Sequence, residues 1–194
     1  MHPRIREFPS LHFYDGKLND APTITVATYS KEYHRFQAFR PFIFYDLEWS
    51  SEQRGHSSST MNPSEAKFCT DLVADLCKKF PSIPDNAIGI VTPYQQQASE
   101  IRKLCPRTKI IEVSTVDGFQ GREKDVVVFS CVRAPVCECQ KNGFPPSPPF
   151  SIFSERIFNM LPHPAAKSIG FLADVRRMNV GLTRAKYEIG RAHV

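Results

Sequence analysis

Ser114-Thr115-Val116-Asp117-Gly118-Phe119-Gln120-Gly121-Arg122-Glu123-Lys124-Asp125 is the stretch whose reading decides the fold. Polar and charged residues are packed here between two apolar runs, Ile110 to Val113 and Val126 to Cys131. Short apolar runs bounded by turn signals read as buried strands, which puts the polar cluster at a strand end, where open α/β sheets bind ligands. A second cluster, Arg176-Arg177-Met178-Asn179-Val180-Gly181-Leu182-Thr183-Arg184-Ala185-Lys186, gathers further cations on a segment (Asp174 to Ala185) read as mainly helical.

Outward from these clusters, strands and helices alternate. Pro41 to Leu47 and Ile88 to Val91 are apolar enough for strands, and Ser50 to Thr60 is polar and reads as a loop. Asn62-Pro63-Ser64-Glu65 opens a helix that either Asn62 or Ser64 can cap. Phe68, Leu72, Val73, Leu76 and Phe80 give that helix one buried stripe. Thr92-Pro93-Tyr94 ends the next strand and leads into a helix from Gln95 to Leu104. Such alternation predicts a largely parallel sheet with helices on both faces. Residues 134–168 break the pattern; they are proline-rich, including Phe144-Pro145-Pro146-Ser147-Pro148-Pro149, and read as an insertion in which Phe150 to Leu161 could dock as a short helix.

The totals set the outer limits. A chain of 194 residues, 41% hydrophobic, suits one domain with a sizeable core. A net charge of +5 permits a nucleic-acid partner without requiring one. The six cysteines form no paired C-x-x-C knuckles and read as reduced thiols, the state of cytosolic and nuclear proteins. The histidines lack ligand spacing, so no metal site is expected on this chain. No run is long enough to span a membrane.

Three motifs in order, Ile90-Val91-Thr92-Pro93-Tyr94-Gln95-Gln96-Gln97, the Ser114 to Asp125 cluster, and Gly170-Phe171-Leu172 running into Arg176 to Lys186, follow the opening Met1-His2-Pro3 and Phe8-Pro9-Ser10. This order resembles the superfamily 1 helicases of the senataxin and nonsense-decay type, with motifs IV, V and VI of the second RecA-like domain. The resemblance implies an α/β, RecA-like P-loop NTPase fold, present as the C-terminal motor lobe over residues 1–187. It implies ATP and Mg²⁺ as cofactors, single-stranded RNA or DNA as partner, and 5′→3′ movement.

Roles follow position by position. A nucleotide held between two lobes needs a rigid, permanently charged group at its γ-phosphate, and Arg184 in Leu-Thr-Arg-Ala fits as an arginine finger. A lone arginine would more plainly be an ion pair at a helix end. Glu123 would accept from a ribose hydroxyl, with a surface pair to a neighbouring lysine as its bland alternative. Gly121 would let backbone approach the ligand, and Gln120 would link the nucleotide cleft to the strand track. One of Arg176 and Arg177 would reach the nucleotide, with Arg177 taken as the candidate, while the other pairs internally. Thr92, Pro93, Tyr94, Ser114, Thr115 and Arg122 would contact the nucleic acid through hydroxyls, backbone amides, a stacking ring and charge. For Thr92 and Tyr94, helix capping or core packing is an equal alternative.

The 194 residues hold no G-x-x-x-x-G-K-[ST] loop and no strand ending in an Asp-Glu pair for Mg²⁺. In the family those parts sit on the preceding N-terminal RecA-like lobe, so the chain is expected to be inactive alone and to need that lobe as a partner. Relatives carry Gln-Tyr-Arg before Met-His-Pro, so Met1 is expected to be an internal methionine or the start of a truncated gene model. Glu188-Ile189-Gly190-Arg191-Ala192-His193-Val194 departs from the apolar strand of the family. Back-translated with suitable codons it matches the start of a common sequencing adapter, so residues 188–194 are expected to be a non-native tail. Phe13-Tyr14-Asp15-Gly16-Lys17-Leu18 and Phe44-Tyr45-Asp46 lean to the senataxin group and hence to the nucleus, with the cytoplasm as alternative. Two rivals stand beside the helicase lobe. One is a motor-less helicase-like module that binds nucleic acid or a protein partner through the insertion; the other is an unrelated basic α/β binding domain.

Overall fold

Strands β4 (Ile88–Thr92) and β6 (Lys124–Ser130) are buried over nearly their whole length, because each has helices on both sides. The computed structural model describes residues 1–47, 50–54, 59–105, 111–133 and 175–193, with backbone alone for Val175 and residues 191–193. The proline-rich 134–168 segment, the helix expected at Phe150 to Leu161, Cys137 and Cys139 lie outside the described residues. The main sheet holds five parallel strands in the order β1-β7-β6-β4-β5, with β1 at Phe42–Asp46, β5 at Glu112–Thr115 and β7 at Ala185–His193.

Alternation along β6 shows why a continuous apolar run was needed. Val126 and Val128 join the core under α3 (Pro63–Lys79) and α4 (Gln95–Leu104), with Ile88, Ile90, Val73, Leu76 and Ile101. Val127 and Phe129 face the opposite layer, α1 (Pro3–Phe13) and α5 (Val175–Leu182), with Ile5, Met178 and Leu182. Both faces of the sheet are thus dry. The chain start is tied to the sheet where the His2 N–H donates to the Lys186 carbonyl at 2.8 Å. A four-residue helix, α2 (Val26–Tyr29), and two short 3₁₀ turns lead into β1.

Several local readings resolve or move. Asn62, not Ser64, caps α3: its Oδ1 accepts from the Glu65 N–H at 3.0 Å. The loop expected at Ser50 to Thr60 contains a small hairpin, β2 (Gln53–Arg54) with β3 (Thr60–Met61), which short polar strands do not advertise. Strand β5 runs on through Ser114 and Thr115, because Thr115 pairs with Thr92 at the end of β4. The helix of the last motif stops at Leu182, and Ala185 already begins β7.

The segment expected to be foreign, Glu188 to His193, completes β7 between β1 and β6. It does so at a physical cost. Glu188 is 2% exposed and its Oε2 has no hydrogen-bond partner. Burial pushes its carboxyl well above the usual carboxylate range.

Candidate functional site

In a parallel sheet all strands start at one edge and finish at the other, and the motif residues divide between the two edges. At the amino edge, Lys124 of β6 is in register with Ala185 of β7, and the Lys124 N–H donates to the Arg184 carbonyl at 3.1 Å. Glu123 and Arg184 therefore stand side by side, one residue before two neighbouring strands. Glu123 is exposed. The Arg184 guanidinium folds back on the end of α5, donating to the Val180 carbonyl at 3.0 Å and to Thr183 Oγ1 at 3.1 Å. A cation suits that helix end, whose last carbonyls lack partners.

The loop that carries Glu123 crosses from the carboxyl edge of β5 to the amino edge of β6. Phe119, fully buried, pins it to the α1 side of the core. Gly121 turns it with φ +77°, and a Cβ there would meet nothing within 4 Å. Among the described residues the glycine answers a backbone demand, not crowding. Gln120 is exposed beside it. Glu112, at the start of β5, collects both neighbouring cations: Arg122 pairs with it, and Lys124 Nζ lies 2.9 Å from it. Burial works to raise the Glu112 carboxyl, but the bonds from Lys124 and Arg122 outweigh it and hold the group below its ordinary value.

Two residues fall on the edge opposite to the residues they were grouped with. Arg122, grouped with the nucleic-acid contacts, sits at the amino edge on Glu112. Arg177, grouped with the nucleotide contacts, lies near the start of α5, where its Nε is 3.3 Å from Asp117 Oδ1 at the carboxyl edge. Helix α5 carries the chain from one edge to the other, advancing about 7.5 Å from Arg177 to its end at Leu182 at a rise of 1.5 Å per residue.

At the carboxyl edge, Thr92, Pro93, Tyr94, Ser114 and Thr115 come together. Thr92 is fully buried and its Oγ1 accepts from the Tyr94 N–H at 3.4 Å, a local turn contact and not a helix cap, since α4 has no side-chain cap bond. Tyr94 is the N-cap residue of α4, half-buried like Ser114 and Thr115. Sequence reading missed Gly118. Its N–H donates to Thr115 Oγ1 at 3.3 Å, and a Cβ there would stand 2.6 Å from Ser114 Oγ. It also missed a buried polar group behind this edge, made of Asn62, Glu65, Gln97 and Ser130. A signal was present: Glu65 shares the i, i+4, i+8 face with buried Cys69 and Val73, an odd place for a carboxylate.

The amino edge has the chemistry of half a nucleotide site, with an exposed carboxylate for hydroxyls and a guanidinium for phosphate. Among the described residues no group of three or more His, Cys, Asp or Glu could hold a metal ion. His34 is pushed down to about 4 by burial, helped by the nearby His2. Among the described residues no helix is long and apolar enough to cross a membrane.

The profile of the AAA domain family matches residues 1–190. The chain belongs to that family. Its relatives are helicases of the Sen1 and Upf1 type. A Dictyostelium discoideum protein named as a probable helicase is 39% identical over 187 residues, which is 96% of this chain and 16% of that protein. Helicase SEN1 of Saccharomyces cerevisiae is 34% identical over 198 residues, 97% of this chain and 8% of its own length. The ATP-dependent helicase upf1 of Schizosaccharomyces pombe is 33% identical over 199 residues, 97% of this chain and 18% of its own. The chain thus spans a small part of each relative. The fold is the α/β, RecA-like, P-loop NTPase type, with a five-stranded parallel sheet.

Proposed function

We propose that this chain is the C-terminal motor lobe of an ATP-dependent 5′→3′ RNA/DNA helicase. In this reading ATP, with Mg²⁺ held by the N-terminal lobe, binds against the amino edge of the sheet. Arg184 is the arginine finger, Glu123 holds a ribose hydroxyl, and Gly121 and Gln120 shape the loop between them. The single strand runs along the carboxyl edge at Pro93, Tyr94, Ser114 and Thr115, with Thr92 supporting the turn. Arg122 and Arg177 are left out of these contacts because each is committed to a carboxylate at the other edge. The observation that carries the reading is the Lys124 to Arg184 backbone bond, which makes neighbours of two motif residues distant in sequence.

The mechanism asked of Arg184 is electrostatic. Its guanidinium would leave the end of α5, exchange two neutral acceptors for phosphate oxygens, and stabilise the charge that develops on the transferred group. Alone the chain lacks the phosphate cradle, so it is not expected to turn over ATP. Joined to the first lobe of a Sen1-type relative, Arg184→Ala should lower ATP turnover by roughly 10³–10⁵. Arg184→Lys should rescue poorly, because an ammonium lacks the planar fork. Near-normal turnover by folded Arg184→Ala protein would exclude the finger role and favour the motor-less binding module.

Two finer points belong to the same proposal. Residues 188–194 are a non-native tail, a reading supported by the buried Glu188 Oε2 that lacks a hydrogen-bond partner in a central strand. Resequencing the native transcript tests this, since an uninterrupted frame encoding the same residues would sink it. The nucleus is the working compartment, tested by imaging the tagged full-length protein. The 134–168 insertion is read as a solvated linker, with an SH3- or WW-type partner as the alternative, tested by peptide pull-down with such domains.

A further inference from the structure

Val132, just past the end of β6, has φ +72° although it is β-branched and fully buried. The Arg133 N–H donates to the Cys131 carbonyl at 2.8 Å. This is a γ-turn of the rarer, strained hand, and a β-branched residue in left-handed backbone is a genuine outlier. Such strain persists where surroundings over-determine it, and it gathers at working sites.

The surroundings here are a carboxylate. Glu65, 0% exposed in the first turn of α3, accepts the Val132 N–H on both oxygens at 3.1 and 3.0 Å. It also accepts from Ser130 Oγ at 2.8 Å. Ser130 Oγ in turn accepts from Gln97 Nε2 at 3.0 Å. Gln97 lies in the first turn of α4, the turn that Tyr94 opens, and is locked to Asn62: its Oε1 accepts the Asn62 N–H at 2.8 Å and its Nε2 donates to the Asn62 carbonyl at 3.1 Å. Asn62 Nδ2 finally reaches Ser50 Oγ at 2.9 Å. One buried chain of hydrogen bonds therefore joins the strained exit of β6 to the Tyr94 turn.

We propose that Glu65 is a positioning residue for the carboxyl edge: by holding Val132 in its strained turn and anchoring Ser130 and Gln97, it fixes the Tyr94 turn against the β6 exit. This role rests on the strand-binding reading given above. A core would otherwise not select a carboxylate here, since charge buried among apolar groups is costly unless its hydrogen bonds are specific and complete. A carboxylate is also the side chain that accepts three such bonds without offering a donor to the Val132 N–H.

The test is a double-mutant cycle between Glu65→Gln and Val132→Gly on the 194-residue chain. It is read by anisotropy of a labelled oligo-uridine and by hydrogen exchange at the residue 132 amide. Glu65→Gln should weaken oligo-uridine binding about five- to tenfold and release the amide. Val132→Gly takes up left-handed backbone without help, so it should remove the part of the Glu65→Gln loss that comes from the turn, leaving a smaller loss in that background than in the unmodified chain. Val73→Ala, a core truncation on the same helix, should leave binding by the folded protein unchanged. Unchanged affinity in Glu65→Gln, an equal loss in both backgrounds, or a matching loss in Val73→Ala would each overturn the role. Failure of the unmodified chain to bind oligo-uridine would overturn the strand-binding reading and this role with it; the exchange of the 132 amide would still distinguish a real clamp from none.

Discussion

Replacing Glu188 with valine should make the protein more stable, and by an amount that grows with pH. Glu188 is 2% exposed on β7, and Oε2 has no partner. Burial raises its carboxyl well above the usual range. The sign follows from proton binding. Above the unfolded value of about 4.3 the unfolded chain releases the proton that the folded chain keeps, so stability is full below that pH and falls as pH rises toward the folded value. The slope approaches about 1.4 kcal/mol per pH unit. Valine removes the slope, suits a strand, and removes a polar group whose burial costs about 1–3 kcal/mol. His2 and His34, both depressed by burial, act in the opposite sense, stabilising more as pH rises toward their unfolded value of about 6.5. The difference between Glu188→Val and the unmodified chain cancels them. Urea unfolding of both proteins at steps between about pH 4.5 and 7.5 gives that difference directly. Parallel stability curves, or a valine variant less stable than the parent, would refute the reasoning.

Tyr94→Ala should weaken single-strand binding by the folded protein by about 1–3 kcal/mol if a base stacks on the ring; anisotropy titration checks this, and affinity of both proteins should fall as salt rises. Gly118→Ala drives a Cβ to 2.6 Å from Ser114 Oγ and should distort the carboxyl edge, seen as weaker oligonucleotide binding and shifted amide resonances at Ser114 and Thr115. Cys69, fully buried with its thiol raised by burial, should resist alkylation in the folded chain and react on unfolding, as mass spectrometry would show.

By itself the sequence determined the layered α/β class. Val126 to Phe129 could be satisfied only by helices on both sides, and α4 begins and ends at the residues its pattern indicates, Gln95 and Leu104. The motif order sufficed to point to the helicase family, because type and spacing of residues are linear facts. Which edge of the sheet each motif residue occupies is not linear. Thr115 and Arg122 lie in one cluster, yet Thr115 ends β5 at the carboxyl edge and Arg122 pairs with Glu112 at the amino edge. Arg177 and Arg184 share a motif, yet α5 carries them to opposite edges. The γ-turn at Val132 and the Glu65 carboxylate beneath it were invisible for the same reason: the bonds that hold them join positions 65 and 132, and only folding brings that donor and acceptor within 3.1 Å. Local periodicity records which face of an element is apolar. The partners that meet across that face, and so the strain a turn can carry or the carboxylate a core can hold, are decided by tertiary packing.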